Sequence, residues 1–326
     1  MKRNALILIL VIFGLLGCSN ELELYKFGDP TPIVYCLLNS DADVQYVRLS
    51  KTFLTKQAID SVNPDRDSTL WDIPIEIYIE KYGDDGDPEE VIYFESTSLP
   101  AKDSGFFPDN NYHLYQANFQ PDIGKTYVLY AYFKNPERLV SGKTIIMNPP
   151  KVIDPSNVLY RSLTFDSLSS MYIRWQPVDF GGLYQGFFRF HYAEVDGNTR
   201  VNMHLDFPTP VYSIMGTDIT VEKSLNPQNF FKFLNQNLEV KPDIKRVPSG
   251  IEYFFYSTGE DLALWYNTLN DGSSSQTSLF EYSNIEGGKG IFTSWTTQRV
   301  PNIPLSLVSI RNLKTNPLTK DLGFSE

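Results

Sequence analysis

Metal, phosphate and acid-base chemistry each need particular side chains at particular spacings, and this chain offers a few places to look. In "FFRFHYAEVDGNTRVNMHLDF" two of its three histidines, His191 and His204, flank a turn. With Asp196-Gly197 as the turn, the strands pair Phe188 with Leu205, Phe190 with Met203 and Tyr192 with Val201. One face is then wholly apolar, and the other carries Arg189, His191, Asn202, His204 and Asp206. His191 and His204 become diagonal neighbours with Asp206 close by, a donor set for zinc. The expectation is nevertheless a solvated or interdomain polar face. Moving the turn to Gly197-Asn198 keeps both faces and slides the partners. His113, in "NYHLYQ", stands alone and is expected to be structural.

Two acidic stretches raise calcium. "NSDADV", Asn39 to Val44, alternates oxygen donors, yet lacks the glycine at the sixth position, and Ser50 stands where a bidentate glutamate belongs. It is expected to be a turn. Asp84, Asp85, Asp87, Glu89 and Glu90 crowd the loop 84–90 and are expected to be a solvated hairpin tip. "EGGKG" near the end could be taken for a phosphate cradle. Aligned on Gly288-Lys289, however, it has Ser283 for the first glycine and Gly290 for the hydroxyl, and "IFTSW" after it is strand-like. No G-x-S-x-G elbow occurs. No catalytic, cofactor-binding or metal-binding residues are therefore assigned, and the chain is expected not to be an enzyme.

The chemistry that remains is at Cys18. "MKRNALILILVIFGLLGCSN" places Lys2 and Arg3 before a short apolar run, then a small residue and a cysteine. This predicts a signal peptide over 1–17, too short to span a bilayer. "LLGC" resembles the lipobox of bacterial lipoproteins, which implies acylation of Cys18 with palmitate-type chains and a lipidated tether over 18–29. Cys36 is then left without a partner and is expected to be a small buried hydrophobe. Removing Lys2 and Arg3 moves the formal charge from -11 to -13, which argues against nucleic acid as a partner.

The elements that would position any site are mostly strands. Period-two alternation runs through "TPIVYCLL", "VQYVRLSKTF", "DIPIEIYIEK", "VIYFE", "YHLYQANF" and "KTYVLYAYF". Ile73, Ile75, Ile77 and Ile79 share one face, as do Tyr127, Leu129, Ala131 and Phe133. The fold class read from this is mainly β: two β-sandwich domains of Ig or fibronectin III type, with two short helices in the second. The domains are 30–148 and 151–326, divided at the proline-punctuated, non-periodic "MNPPKVIDPS". The helices are "NPQNFFKFLNQNLE", capped by Asn226, and "TGEDLALWYNTLNDG", where Thr258 and Asp261 make a capping-box-like start and Gly272 a stop. The glycines of "YSNIEGGKGIFTSW" are expected to serve backbone geometry, with Ile291 or Phe292 and Trp295 in the core of the second domain.

That same stretch, with "EDLALWYNTLN" before it and "IPLSLVSIRNLKTNPLTKDLGF" after it, resembles a Bacteroidetes outer-membrane lipoprotein family, domain of unknown function 4249, through Asn284, Ile285, Gly287, Gly290, Ile291 and Phe292. "PIVYCLLNSDADVQYVRLSKTFL" and "MYIRWQPV" resemble it too. The resemblance implies a lipid-anchored protein of the cell outer membrane, in a family often encoded beside TonB-dependent receptors and without an established activity. The expected function is a non-enzymatic binding or accessory module partnering a TonB-dependent transporter. The alternatives are a structural or adhesive surface protein and a glycan or peptide hydrolase, the last needing two carboxylates about 5 to 9 Å apart in a cleft.

Overall fold

The computed structural model describes residues 29–52, 70–83, 85–97, 114–156, 158, 161–166, 170–216, 219–270 and 282–325. Cys18, Asp84, His113 and Gly272 lie outside the described residues. The described chain is mainly β, and the alternating stretches are its strands. In the first half these are β1 (Pro32–Asn39), β2 (Val44–Lys51), β3 (Ile75–Tyr82), β4 (Pro88–Thr97), β5 (Leu114–Asn118), β6 (Thr126–Lys134) and β7 (Glu137–Ile145). The second half holds β8 (Lys151–Asp154), β9 (Met171–Gln176), β10 (Gly181–Asp196), β11 (Thr199–Pro208), β12 (Tyr212–Ser213), β13 (Val221–Leu225), β14 (Lys245–Gly259), β15 (Ile285–Glu286) and β16 (Lys289–Ile303). "MNPPKVIDPS" is not wholly irregular, because its Lys151–Asp154 pairs with β9.

Among the described residues one sheet holds thirteen strands, twelve along the hydrogen-bonded path β11-β10-β14-β16-β1-β2-β5-β4-β3-β6-β7-β15 and β12 off it on β10. β13-β9-β8 make a separate sheet. β4 turns the path: Phe94 pairs with Ile77 of β3, while Glu95 to Thr97 pair with β5. The inward faces of β1 and β2 therefore share one core with those of β3, β6 and β7. It contains Val34, Cys36, Val47, Ile77, Ile79, Leu129 and Phe133. Burial pushes the Cys36 thiol pKa well up, as suits a residue that is only packing.

A second core collects Phe165, Trp175, Phe188, Phe190, Tyr253, Phe255 and Leu322. Helix α1 (Gln228–Asn237) drives Phe230, Phe231 and Leu234 into it, and the Phe230 ring stacks on Phe165 at 4.0 Å. Asn226 Oδ1 accepts the Gln228 N–H at 2.9 Å, so the expected cap is made one residue before the helical boundary. Helix α2 (Glu260–Asn270) follows β14 directly. Thr258 belongs to that strand and its hydroxyl lacks a hydrogen bond, so the capping box does not form. Ala263 is the residue α2 buries, against Gly182, and Leu269 is exposed. A third helix, α3 (Leu307–Thr315), had no counterpart in the periodicity: Leu307 and Val308 face solvent, and the Ser306 N-cap, accepting from Ser309 N, is its clearest signal.

The two cores divide near residue 150, except that the C-terminal strands serve both. Ile285 and Phe292 join Val34 and Cys36 in the first core, while Val300 and Ile303 of the same β16 belong to the second. The expectation that Ile291 or Phe292 and Trp295 fill the second core is thus corrected: Phe292 is in the first core, and buried Ile291 belongs to neither cluster. β16 runs parallel to β1, pairing Val34 with Gly290 and Cys36 with Phe292, and this register carries Phe292 inward beside Cys36. Trp295 is half-buried on the opposite face, stacked on Tyr256 at 5.2 Å.

Gly290 permits that pairing. It has φ +120, and a Cβ there would lie 1.8 Å from the Val34 carbonyl oxygen. Asn284 braces the turn, accepting from Phe292 N at 2.9 Å and donating to Phe292 O at 2.7 Å. Behind β16, Ser294 and Thr296 donate their hydroxyls to the carbonyls of Ile145 and Asn148, which uses the buried polar groups to fix the connection between the halves. At the far end the tail is held by Arg246, 1 % exposed, whose guanidinium bonds Glu194 Oε1 and the Leu322 carbonyl. Burial alone would raise the Glu194 pKa, but the hydrogen bonds and charge of Arg246, with those of Lys241, hold it below the ordinary carboxylate value.

Two stability outcomes follow. Gly290→Ala, blocked by backbone that cannot move aside, should lose on the order of 3 kcal/mol or more in a urea titration. Arg246→Ala should lose about 3 to 5 kcal/mol by leaving Glu194 without its buried counter-charge, and Arg246→Lys should restore only part, since one ammonium does not reproduce the guanidinium fork.

Candidate functional site

The face of β10, β14 and β16 turned away from the second core carries the densest polar chemistry among the described residues. Its position follows from the hairpin. β10 and β11 pair Phe188 with Phe207, Arg189 with Asp206 and His191 with His204, closing at Asp196 and Thr199. The turn is thus Gly197-Asn198, with Gly197 at φ +53, and the partners slide from those of an Asp196-Gly197 turn while both faces are kept. The apolar face is less completely covered than expected. Phe188, Phe190 and Tyr192 are buried, whereas Val201 and Met203 on the outer strand are exposed.

The new register brings the polar residues into direct opposition. Arg189 Nε and Nη2 donate to Asp206 Oδ1 and Oδ2, both at 2.8 Å. Those hydrogen bonds hold the Asp206 carboxyl below its ordinary pKa and raise that of Arg189. The imidazoles of His191 and His204 are cross-strand partners with centroids 6.2 Å apart, not diagonal neighbours. His191 Nε2 lies 3.6 Å from Glu252 Oε2, and Glu252 is paired with Arg299 as well. The zinc donor set is thereby dispersed: His191 faces Glu252 and Asp206 faces Arg189. Among the described residues no group of three His, Cys, Asp or Glu is placed to hold a metal.

Beside this charge cluster runs an aromatic ladder. Phe187 stacks on Phe254 at 4.7 Å and meets Tyr256 at 5.6 Å, and Tyr256 continues to Trp295. The Arg189 guanidinium lies 4.8 Å from the Phe254 ring centre and that of Arg299 5.6 Å from it. All four rings are half-buried, and cations lie over Phe187 and Phe254.

Two irregularities open the face. The β10–β14 register shifts between His191 and Tyr192, which pair with Gly250 and Pro248 and leave Ser249 out of step, with Gly250 at φ +136. The β14–β16 register shifts between Ile251 and Tyr253, beside Pro301 and Asn302, with Asn302 at φ 56. Both bulges meet one groove of about 640 Å³, lined by His191, Asn202, Glu252, Arg299 and Asn302 among others. Bulges bend strands and re-aim side chains, and here two on adjacent pairs leave a recess beside a nearly buried carboxylate. The groove presents a carboxylate, a guanidinium, an imidazole and amides to a polar ligand.

The remaining sequence candidates are absorbed by local structure. Glu89, Glu90 and Asp122 surround Lys81, with Lys81 Nζ to Asp122 Oδ2 at 3.0 Å, and Glu89 also meets Lys125. "NSDADV" is an Asx turn: Asp41 N donates to Asn39 Oδ1, and buried Gln45 bonds the Asn39 and Ala42 carbonyls. Gly287 and Gly288 form the turn into β16, and Lys289 and Gly290 are its first residues. Of the residues named from the sequence, Arg189, His191, Asn202, His204 and Asp206 do share the candidate face. Glu252, Arg299, Asn302 and the ladder rings were missed. The available signals were the aromatic run "EYFFY" and the Pro-Asn break in "TQRVPN".

The Asp206–Arg189 pair sets a pH outcome. Its carboxyl pKa is lowered in the folded chain, so its stabilisation is present above the unfolded value of about 3.9 and is lost as pH falls through the folded value. Thermal midpoints measured down through this range should show a steeper acid decline in the parent than in Asp206→Asn.

No family model matches the chain, and no curated protein matches it. Among solved structures it aligns with the C-terminal globular domain of an oligosaccharyltransferase from Pyrococcus abyssi at 12 % identity, over 71 % of this chain. The alignment spans 49 % of that structure's length, about half, and its TM-score of 0.21 is too low to indicate a shared fold.

Proposed function

We propose that the chain is a cell-envelope lipoprotein, anchored through acylated Cys18 to the outer membrane, that acts as a non-enzymatic binding or accessory module. The observation that carries the binding part is the groove where Glu252, His191 and Arg299 converge beside the ring ladder of Phe187, Phe254 and Tyr256. Its carboxylate Glu252 is already engaged by Arg299, as Asp206 on the same face is by Arg189, which suits recognition by hydrogen bonds and stacking rather than proton transfer. The anchoring part rests on "LLGC" after a short apolar segment. The likeness of the Asn284–Phe292 stretch to domain of unknown function 4249 favours the same address, and with it a TonB-dependent transporter as partner. Each core, lying between strand layers, is read as one β-sandwich of Ig or fibronectin III type.

Cys18→Ala should move the protein from the membrane to the soluble fraction, and retention in the membrane would remove the anchor from the reading. Affinity purification of the intact lipoprotein from envelope extracts should recover a TonB-dependent receptor. The double variant His191→Ala, Arg299→Ala should lower that recovery at least about tenfold without altering fractionation. Equal recovery from parent and variant would take the groove out of partner binding.

A further inference from the structure

Among the described residues, the outer strand of the main sheet is open along one side. β11 ends the strand path, and its one neighbour among the described residues is β10. Residues 199–204 are all exposed, and they include Val201 at 49 % and Met203 at 40 %. Long regular edges are normally protected by bulges, lysines or prolines, because their free N–H and C=O groups template another strand. β11 has no lysine, its proline is the last residue, and its ten pairs with β10 run without a register shift. The two bulges of this sheet region lie one and two strand pairs inward.

We propose that β11 pairs antiparallel with the β11 of a second copy of this chain, about a two-fold axis at Met203. The backbone fixes the allowed registers. The two-residue turn makes Asp196 and Thr199 a hydrogen-bonded closing pair, so Thr199, Val201, Met203 and Leu205 spend their backbone groups on β10. Arg200, Asn202, His204 and Asp206 direct theirs outward, and two copies must match outward residue to outward residue. Centring the pairing on Met203 does this and sets Arg200 opposite the partner's Asp206 and Asn202 opposite the partner's His204. On the other face Val201 meets the partner's Leu205, and Met203 meets the partner's Met203. That row continues the apolar surface of Phe188, Phe190 and Tyr192, against which Leu205 already packs. Centring on Asn202 would put Arg200 opposite His204, and centring on His204 would put it opposite Pro208, so only the Met203 register joins opposite charges across the axis. The site face would then extend across the axis as two coplanar copies, with Asn202 and Met203 of the seam at the edge of each groove.

The axis makes a direct test possible. Met203 would meet its own copy as a non-hydrogen-bonded pair, with Cα atoms about 4.5 Å apart, a separation a disulfide can bridge. Full-length Met203→Cys, oxidised mildly, should give a disulfide-linked dimer above the background of the unsubstituted chain. Thr199→Cys, which would face the partner's Phe207, should not. Adding Arg200→Asp to Met203→Cys should lower the dimer yield about fivefold or more by facing two carboxylates. Sedimentation of the unsubstituted full chain should show twice the chain mass at micromolar concentration. A monomeric mass, equal cross-linking at positions 199 and 203, or a yield unmoved by Arg200→Asp would each overturn the pairing.

Discussion

The parallel contact between β1 and β16 is the constraint on which the rest of the molecule rests. It joins a strand that begins at Pro32 to one that begins at Lys289, and it is possible because Gly290 lets two backbones approach where any side chain would strike the Val34 carbonyl. Through it Phe292 completes the first core, while the far half of the same strand supplies Val300 and Ile303 to the second. Buried Ser294 and Thr296 are consistent with that position. A strand enclosed on both faces would ordinarily be apolar, but here its hydroxyls satisfy the carbonyls of the connecting segment.

The candidate face depends on the same strand further along. β16 holds Arg299 opposite Phe254 and, past its bulge, turns Asn302 to the groove. β14 between its two neighbours carries Glu252 and the rings. Polar residues on the open face are fixed by the apolar residues alternating with them. Tyr253 and Phe255 are anchored in the core, so Glu252, Phe254 and Tyr256 have little freedom to turn away. Rigidity of the candidate face is in this sense a product of core packing.

Alternation made most of the strands legible, because a half-buried strand writes its burial directly into the sequence. Tyr127, Leu129, Ala131 and Phe133 are all buried, as their spacing requires, and so are Ile77 and Ile79. β7 was less visible, since Ser141, Gly142 and Lys143 dilute its pattern. The site was legible in half. Its β10–β11 residues came from one hairpin whose faces survive a shift of register, whereas Glu252 and Arg299 stand 47 residues apart on different strands. Pro248-Ser249-Gly250 and Pro301-Asn302 have the composition of loops, and in the sheet they are bulges. A local reading treats them as chain breaks, and only pairing with neighbours reveals that they open a recess inside a continuous sheet.

The span between Val34 and Gly290 also bears on how the molecule comes into being. A chain emerging N-terminus first exposes β1 long before its parallel neighbour exists, and the first core lacks Ile285 and Phe292 for all that time. Loop closure over such a span is entropically slow, and an unpaired β1 edge is open to the wrong strand meanwhile. Completion of the N-terminal half is therefore a late event, timed by the delivery of a C-terminal strand. Holding factors that mask open edges during synthesis would act on this chain chiefly at β1.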